Sequence, residues 1–381
     1  MTAGETDDLV GVLRSVGAAA GLDALGVASA EPFDDVREVL EERAARGLAG
    51  GMQFTYRNPA RSTDPRRTLA GARSLVVGAR RYERGEADST GPVEKGYEVP
   101  ARVARSARSD HYAALRSGLT AVSRELRDRG WRTVVLADDN ALVDRAAAWR
   151  AGIGWYGKNT NILIPGAGSW FVLGSVVTDA ELAPDRPVEE GCGSCRRCLP
   201  ACPTGALVSP GVLDARRCLA WLAQAPGVFP TEYRVALGDR LYGCDDCQEV
   251  CPVNRRHTRR RPPAPAEGDS VAAVDALDLL RSDDATLLAR HGRWYLARRE
   301  VRWLRRNALL VLGNAADPGQ PAVVEALRAA LRDPDPAVRG PAVWSAARLG
   351  LAGLLPTTDP DPEVRAELAG AAAVPVRGRG G

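Results

Sequence analysis

The chain lacks any long apolar run. Across its 381 residues no stretch supplies the roughly 20 apolar residues that a membrane-spanning helix needs. The opening MTAGETDDLVGVLRSVGAAAG is acidic early and never becomes the uninterrupted apolar core of a secretory signal. Both absences predict a cytoplasmic protein with no membrane contact. Cysteine is scarce as well: there are 8, and all lie between Cys192 and Cys251. A secreted disulfide scaffold would spread its cysteines and carry a signal peptide, so metal binding is the better reading. An ordinary globular balance of 45% apolar and 26% charged residues means that disorder is not the default expectation. Neither charge sign dominates, since the net charge is only +3. Arginines nevertheless outnumber acids from Pro252 onward, which makes that half the better partner for an anion.

The length predicts two or three domains. Residues 1–180 alternate helical patterns (DDLVGVLRSVGAAAG, FDDVREVLEERAARG) with buried-strand patterns (SLVVGARRY, RTVVLADD), which predicts an α/β layer domain. Residues 181–254 carry the cysteines between short helical pieces and read as a small domain stabilised by ligands. Residues 255–270 form a basic, Pro-rich linker. In residues 271–381 the chain repeats itself, DPDPAVR at 333–339 returning as DPDPEVR at 359–365. Asp-Pro starts a helix and the Val-Arg face packs on a neighbour, so this part reads as an all-α, HEAT-like stack. EVRWLRRNALLVLG shares the frame, with Val301 preceding Gly313 as Val338 precedes Gly350.

The first cysteine run is Cys192-x2-Cys195-x2-Cys198-x3-Cys202-Pro203, and the second is Cys244-x2-Cys247-x3-Cys251-Pro252. Zinc knuckles take two separated pairs, whereas three thiolates at x2 spacing before a Cys-Pro wrap a cubane. Cys218 completes two four-ligand sets. In two-cluster ferredoxins the last cysteine of a run ligates the other cluster. Carried over, Cys192, Cys195, Cys198 and Cys251 hold one 4Fe-4S cluster and Cys202, Cys218, Cys244 and Cys247 hold the second, in a ferredoxin-like arrangement. A pair of zinc sites is the competing reading.

Clusters move electrons and do no bond chemistry on carbon unaided, so residues 1–180 should bind a substrate or second cofactor. Val134–Ala137 read as a strand that presents Asp138 and Asp139 at its carboxyl end, with a helix expected from about Ala141. A carboxyl group there can donate a proton if burial raises its pKa. Capping of the helix is the plainer role; it suits Asp139 or Asn140 and leaves Asp138 undecided. Gly152-Ile-Gly-Trp-Tyr-Gly157 spells GxGxxG but follows a helix and has no acidic partner about 20 positions on, which argues against NAD. Those glycines are expected to end the helix and admit a large planar ligand.

Taken together, Asp138, AGIGWYGKNT from Ala151, GSWF from Gly168, CGSCRRCLPACPTGAL, LDARRCLAWL and YGCDDCQEVCPVN resemble the epoxyqueuosine reductases. The resemblance implies an α/β cobalamin-binding domain fed by two 4Fe-4S clusters, and removal of the epoxide oxygen from epoxyqueuosine at the wobble position of tRNA. It implies that Asp138 is the proton donor. It further implies cobalamin contacts from Arg61, Gly157, Lys158, Asn159, Thr160 and Ser169. An external donor such as a flavodoxin or ferredoxin would supply electrons, and the protein is expected to act as a monomer. Two alternatives stay open: a corrinoid reductase of small halogenated molecules, and a non-catalytic electron-transfer module.

Arginines follow the last cluster cysteine and crowd residues 290–306. A charge run is usually a solvated face. Its functional reading is contact with the phosphates of an anticodon stem-loop, by Arg255, Arg256, Arg302 and Arg305. Trp294, Tyr295 and Trp303 are expected in the core of helix pairs.

Overall fold

The computed structural model describes residues 3–82, 96–260 and 271–377, and the chain forms two compact units. One comprises Met1–Glu86, Ser109–Arg216 and Asp245–Gly268; the other comprises Ala87–Arg108, Arg217–Cys244 and Asp269–Gly381. This differs from the linear partition read from the sequence, in which 1–180, 181–254, 255–270 and 271–381 succeed one another. The reason is strand pairing: Pro100–Val103 lies parallel to Arg240–Tyr242 and antiparallel to Ala273–Asp275, so three distant segments share one small sheet. The first part of the expected linker is helical, Pro252–Arg260, and 261–270 lie outside the described residues.

The first unit is built on a four-stranded sheet. Its strands are β1 (Ala24–Ser29), β2 (Ser74–Arg81), β3 (Thr133–Ala137) and β4 (Phe171–Thr178), in the order β1-β2-β4-β3. Every pairing is antiparallel, with Ser74 opposite Thr178, Arg81 opposite Phe171 and Ala137 opposite Gly174. The β2 residues are buried on both faces, which is why SLVVGARR reads as a continuous apolar strand rather than an alternating one. Successive side chains point to opposite faces. Val76 joins a core with α1 (Ala3–Ala19) and α2 (His111–Asp128), while Leu75 and Val77 join a second core with α3 (Asp144–Arg150). In α2, Leu115, Leu119, Val122 and Leu126 form one apolar stripe. Asp110 starts that helix by accepting from the Ala113 amide at 2.9 Å. The alternating helices and strands thus build layers as expected, although the strands run antiparallel.

In the second unit the helices Arg302–Ala315, Pro321–Ala330, Pro336–Arg348 and Pro362–Gly370 bury Leu304, Leu312, Val338, Val343 and Val364 in one core. Each DPDP begins a helix. Asp335 accepts from the Ala337 amide at 2.9 Å, and Asp361 from the Glu363 amide at 2.8 Å. The repeated arginine links one repeat to the next. Arg339 holds Asp359 through two bonds of 2.8 and 2.9 Å. One repeat earlier in the same frame, Arg302 reaches Asp335 at 3.1 Å.

Candidate active site

Six of the eight cysteines belong to the first unit, and four of those lie within one another's electrostatic reach. The Cys198 thiol is pushed up by burial and by the neighbouring Cys192, Cys251 and Cys195; Cys251 is pushed up by burial and by Cys192 and Cys195. The chain therefore returns after some fifty residues to place Cys251 beside the first three thiols. Packing of the helical turn Cys198–Ala201 against Asp246–Glu249 brings the two stretches together. Among the described residues no three His, Cys, Asp or Glu side chains close on a single ion; a cubane instead takes one thiolate at each iron. The donor set fits a 4Fe-4S cluster. Cys202 is pulled down although burial opposes it, because hydrogen bonds from Thr204, Ala206 and Leu207 favour its thiolate; the Ala206 amide lies 3.2 Å from its sulfur. Cys247 also belongs to the first unit, whereas Cys218 and Cys244 belong to the second. There Cys218 precedes the turn Leu219–Leu222, and Cys244 packs against the cluster of Leu219, Leu222, Phe229 and Leu310.

Asp138 follows the last residue of β3 with a φ of +58°. That left-handed conformation is uncommon outside glycine, and where it persists the surroundings must enforce it. Arg116 contributes by donating to the Ala137 carbonyl at 3.0 Å. The Asp138 side chain has open surface and no hydrogen-bond partner among the described residues. Protein on its other side desolvates it and raises its pKa, with Asp139 adding and Arg116 opposing. Asp139 does not cap the helix as expected, since Val143 is the N-cap and no side chain caps it; its carboxylate instead accepts from the Ala141 amide at 2.8 Å. That bond closes a turn, so the helix expected from Ala141 begins three residues later, at Asp144.

Asp144 is the residue that sequence reasoning missed. Its Oδ1 is buried without a hydrogen-bond partner, and burial first, then Asp138 and Asp139, push its pKa well above the usual carboxylate range, against Arg145. An acid in the first turn of ALVDRAAAW looks like an ordinary helix-dipole residue, so the sequence carries no signal of its burial. Two contacts tie its neighbours to the same place. The Val143 amide donates to the Ser62 carbonyl at 3.0 Å, and Arg145 donates to the Thr160 carbonyl at 3.2 Å. They tie the segments of Arg61, which is exposed, and Thr160, whose φ is +67°, to the stretch that follows Asp138. Neither side chain has a hydrogen-bond partner among the described residues, and Thr160 is half-buried.

The other residues expected to bind cofactor are engaged with their own chain. A Cβ on Gly157 would stand 2.1 Å from Leu163, so the lack of a side chain there serves packing within the chain. Lys158 donates to the Gly193 carbonyl beside Cys192. Asn159 is buried and donates to the Cys247 carbonyl at 3.3 Å. Ser169 is buried between Gln248 and Asn254, donating through its hydroxyl to Gln248 at 2.9 Å and through its amide to Asn254 at 2.7 Å. Gly168 admits Asn254, whose Oδ1 lies 2.0 Å from where a Cβ would be, and its φ of +83° suits glycine. Gln248 also accepts from the buried Tyr82 hydroxyl at 3.1 Å. The segments 157–159 and 168–169 therefore clamp the backbone that carries Cys192, Cys247 and Cys251.

Four arginines were assigned to phosphate, and the structure sorts them. Arg255 and Arg256 are exposed on the helix after Cys251 with no carboxylate partner among the described residues; the side chains of Arg259, Arg260 and Arg261 lie outside the described residues. Arg302 is paired with Glu300 and Asp335, and Arg305 with Asp284 at 2.6 Å. Arg306, counted in the same run, is buried. Its guanidinium donates to the carbonyls of Leu222, Ala225 and Gly227 at 2.7–2.8 Å, closing the helical turn that starts at Cys218. Desolvation, with Arg234 adding, lowers it to about 9. Trp294 and Trp303 are buried as expected, but Tyr295 is 53% exposed.

Residues 191–254 match the 4Fe-4S double cluster binding domain, and residues 293–373 match HEAT repeats. The chain is 33% identical to the epoxyqueuosine reductase of Bacillus subtilis over 90% of its own length and 87% of that protein. It is 32% identical to the epoxyqueuosine reductase of Bacillus anthracis over 87% and 86%. A crystal structure of epoxyqueuosine reductase with an epoxyqueuosine-modified tRNA-Tyr stem loop superposes with a TM-score of 0.83 at 30% identity, covering 97% of this chain and 99% of that one.

Proposed function

Because this chain belongs to the epoxyqueuosine reductase family, we propose that Asp138 protonates the epoxide oxygen as it leaves. The protein is an oxidoreductase that reduces epoxyqueuosine to queuosine in tRNA, with a double 4Fe-4S domain. The observation that carries this reading is the match, along nearly the whole chain, to a reductase solved with its modified stem loop. Opening an epoxide to an alkene requires electrons at carbon and protons on oxygen. The first requirement falls to the clusters, ligated by Cys192, Cys195, Cys198 and Cys251 and by Cys202, Cys218, Cys244 and Cys247. Cobalamin, when bound, supplies the reducing equivalents at carbon.

The second requirement falls to this chain's own acids. Asp138 is open to substrate, and burial on its other side raises its pKa and so favours the protonated acid, while its fixed backbone aims it at one spot. Arg61 and Thr160 are the residues we assign to holding cobalamin. Lys158, Asn159 and Ser169 keep the cluster loops in place, and Gly157 lets that segment pack on Leu163. Arg255 and Arg256 are the arginines best placed for the phosphates of the stem loop. Arg302 and Arg305 would have to exchange a carboxylate for a phosphate. A tRNA substrate puts the enzyme in the cytoplasm, acting as a monomer fed by a flavodoxin or ferredoxin. Among the described residues no helix is long and apolar enough to cross a membrane.

The test offers reduced holoenzyme two substrates in parallel, an epoxyqueuosine-bearing stem loop and a halogenated phenol. Queuosine formation with the phenol untouched is the expected result. Consumption of the phenol without RNA would favour the small-molecule reductase, and inertness toward both would favour an electron-transfer module.

A further inference from the structure

We propose that Arg306 and Asn307 are positioning residues for one of the two 4Fe-4S clusters: they hold the segments that carry Cys218 and Cys244 and set a buried positive charge against them. The inference rests on the ligand assignment proposed above, in which Cys202, Cys218, Cys244 and Cys247 hold the second cluster, and it deepens that reading. Its consequence is electronic. A cluster gains one negative charge when it is reduced, so a fixed cation nearby favours the reduced form and raises the reduction potential.

The second unit supplies Cys218 and Cys244 from two separate segments, and one helix of the repeats, Arg302–Ala315, ties both down. The Arg306 guanidinium donates to the carbonyls of Leu222 and Ala225 at 2.8 Å and of Gly227 at 2.7 Å. Leu222 in turn donates its amide to the Cys218 carbonyl at 2.9 Å, so one helical turn joins the guanidinium to that cysteine. Asn307 reaches the other segment. Its Nδ2 donates to the Ala223 carbonyl at 2.8 Å and to the Leu241 carbonyl at 3.0 Å, and Leu241 lies in the strand Arg240–Tyr242 that leads into Cys244. The Asn307 Oδ1 accepts from Nε and Nη2 of Arg306 at 3.1 and 3.0 Å. Packing repeats the link: Cys244 packs on the apolar cluster that holds Leu222 and Phe229, and the Arg306 guanidinium stands 5.6 Å from the Phe229 ring centre.

The charge is the unusual part. Arg306 is 1% exposed and Asn307 0%, and the hydrogen-bond partners of Arg306 are neutral oxygens. Carbonyls satisfy its donors yet leave a full positive charge in apolar surroundings, which is costly unless an anion answers it. Arg234 shows the alternative beside the same apolar cluster: equally buried, it is paired with Glu367 at 2.5 Å. Among the described residues Arg306 has no such acid. The anion that fits is a cubane held by four thiolates, which is negative in both of its redox states. A residue needed only for packing would not have to be charged.

The test is a redox titration of anaerobically prepared holoenzyme, read by the electron paramagnetic resonance of the reduced clusters and free of turnover. Arg306→Gln removes the charge, Arg306→Lys keeps it, and Asn307→Asp cancels it with a carboxylate at the oxygen that Arg306 already holds. One of the two midpoint potentials is expected to shift downward in the Gln and Asp variants and to stay near wild type in the Lys variant, while the other stays put in all three. Unchanged potentials in Arg306→Gln overturn the proposal. So does an equal fall in Arg306→Lys, which would report lost packing in place of lost charge. Where Arg306→Gln fails to fold, Asn307→Asp against Arg306→Lys decides by the same criterion. A wild-type protein that binds zinc, or only one cluster, instead refutes the ligand assignment beneath the proposal, so the two failures are distinct.

Discussion

The helical repeats and the loop from Ala137 to Arg145 treat charge in opposite ways. In the repeats each recurring arginine finds an acid or a carbonyl: Arg302 with Asp335, Arg339 with Asp359, and Arg365 with the Asp359 and Pro360 carbonyls at 2.8 and 2.7 Å. In the loop, Asp138 and Asp144 have no such partner. A scaffold gains stability by satisfying its polar groups, and a reactive site gives some of it up to keep a group available. The contrast teaches which charges to assign to chemistry. An arginine-rich run is not thereby a nucleic-acid surface, and a lone unpaired acid is not thereby a surface residue.

The comparison can be broken most severely at Asp138. Asp138→Asn should lower turnover by roughly 10²–10⁴-fold while the iron–sulfur absorption and the melting temperature stay at wild-type values. Full activity in that variant would remove the donor role. In the repeats the expectation reverses. Arg339→Ala strands the buried Asp359 without its partner and should cost about 3 kcal/mol, read by denaturant unfolding, with little effect on the rate of the folded enzyme at low temperature. A smaller effect separates the two classes of arginine. Removing Arg255 and Arg256 together should weaken stem-loop binding and reduce its salt slope by about 2, whereas Arg302→Ala should destabilise the fold more than it changes that slope.

The smallest effects are in pH dependence, and their signs are opposite. The Asp359 pKa is lowered chiefly by its hydrogen bonds from Arg339, so its contribution is present above the ordinary carboxylate pKa and is lost as pH falls through the lowered value. The Asp144 pKa is raised by burial, so its contribution is present below the ordinary carboxylate pKa and is lost as pH rises toward the raised value. Unfolding measured across pH should show Asp359→Asn weakening the protein mainly at neutral pH, and Asp144→Asn flattening the decline that sets in above the ordinary carboxylate pKa.

Much of this was legible in local patterns. The cysteine spacing pointed to cubanes, DPDP marked two helix starts, and a strand ending at Ala137 presented Asp138. Those features depend on residues a few positions apart. What the sequence could not disclose depends on contacts between distant stretches. Ser169 meets Asn254 and Gln248, and Asn159 meets Cys247, so segments read as cofactor contacts also hold cluster loops. The antiparallel sheet follows from pairing across nearly a hundred residues, between Arg81 and Phe171. Arg306 looks like its neighbours Arg302 and Arg305 until its burial under Leu222 and Gly227 is seen.

The most direct test of the central claim is a single turnover of reduced wild-type holoenzyme with an epoxyqueuosine-bearing stem loop, followed optically at the clusters and by mass analysis of the released nucleosides. Oxidation of the clusters in step with the appearance of queuosine, lighter than its precursor by one oxygen atom, is the predicted result. Clusters that stay reduced beside an unaltered nucleoside would contradict it.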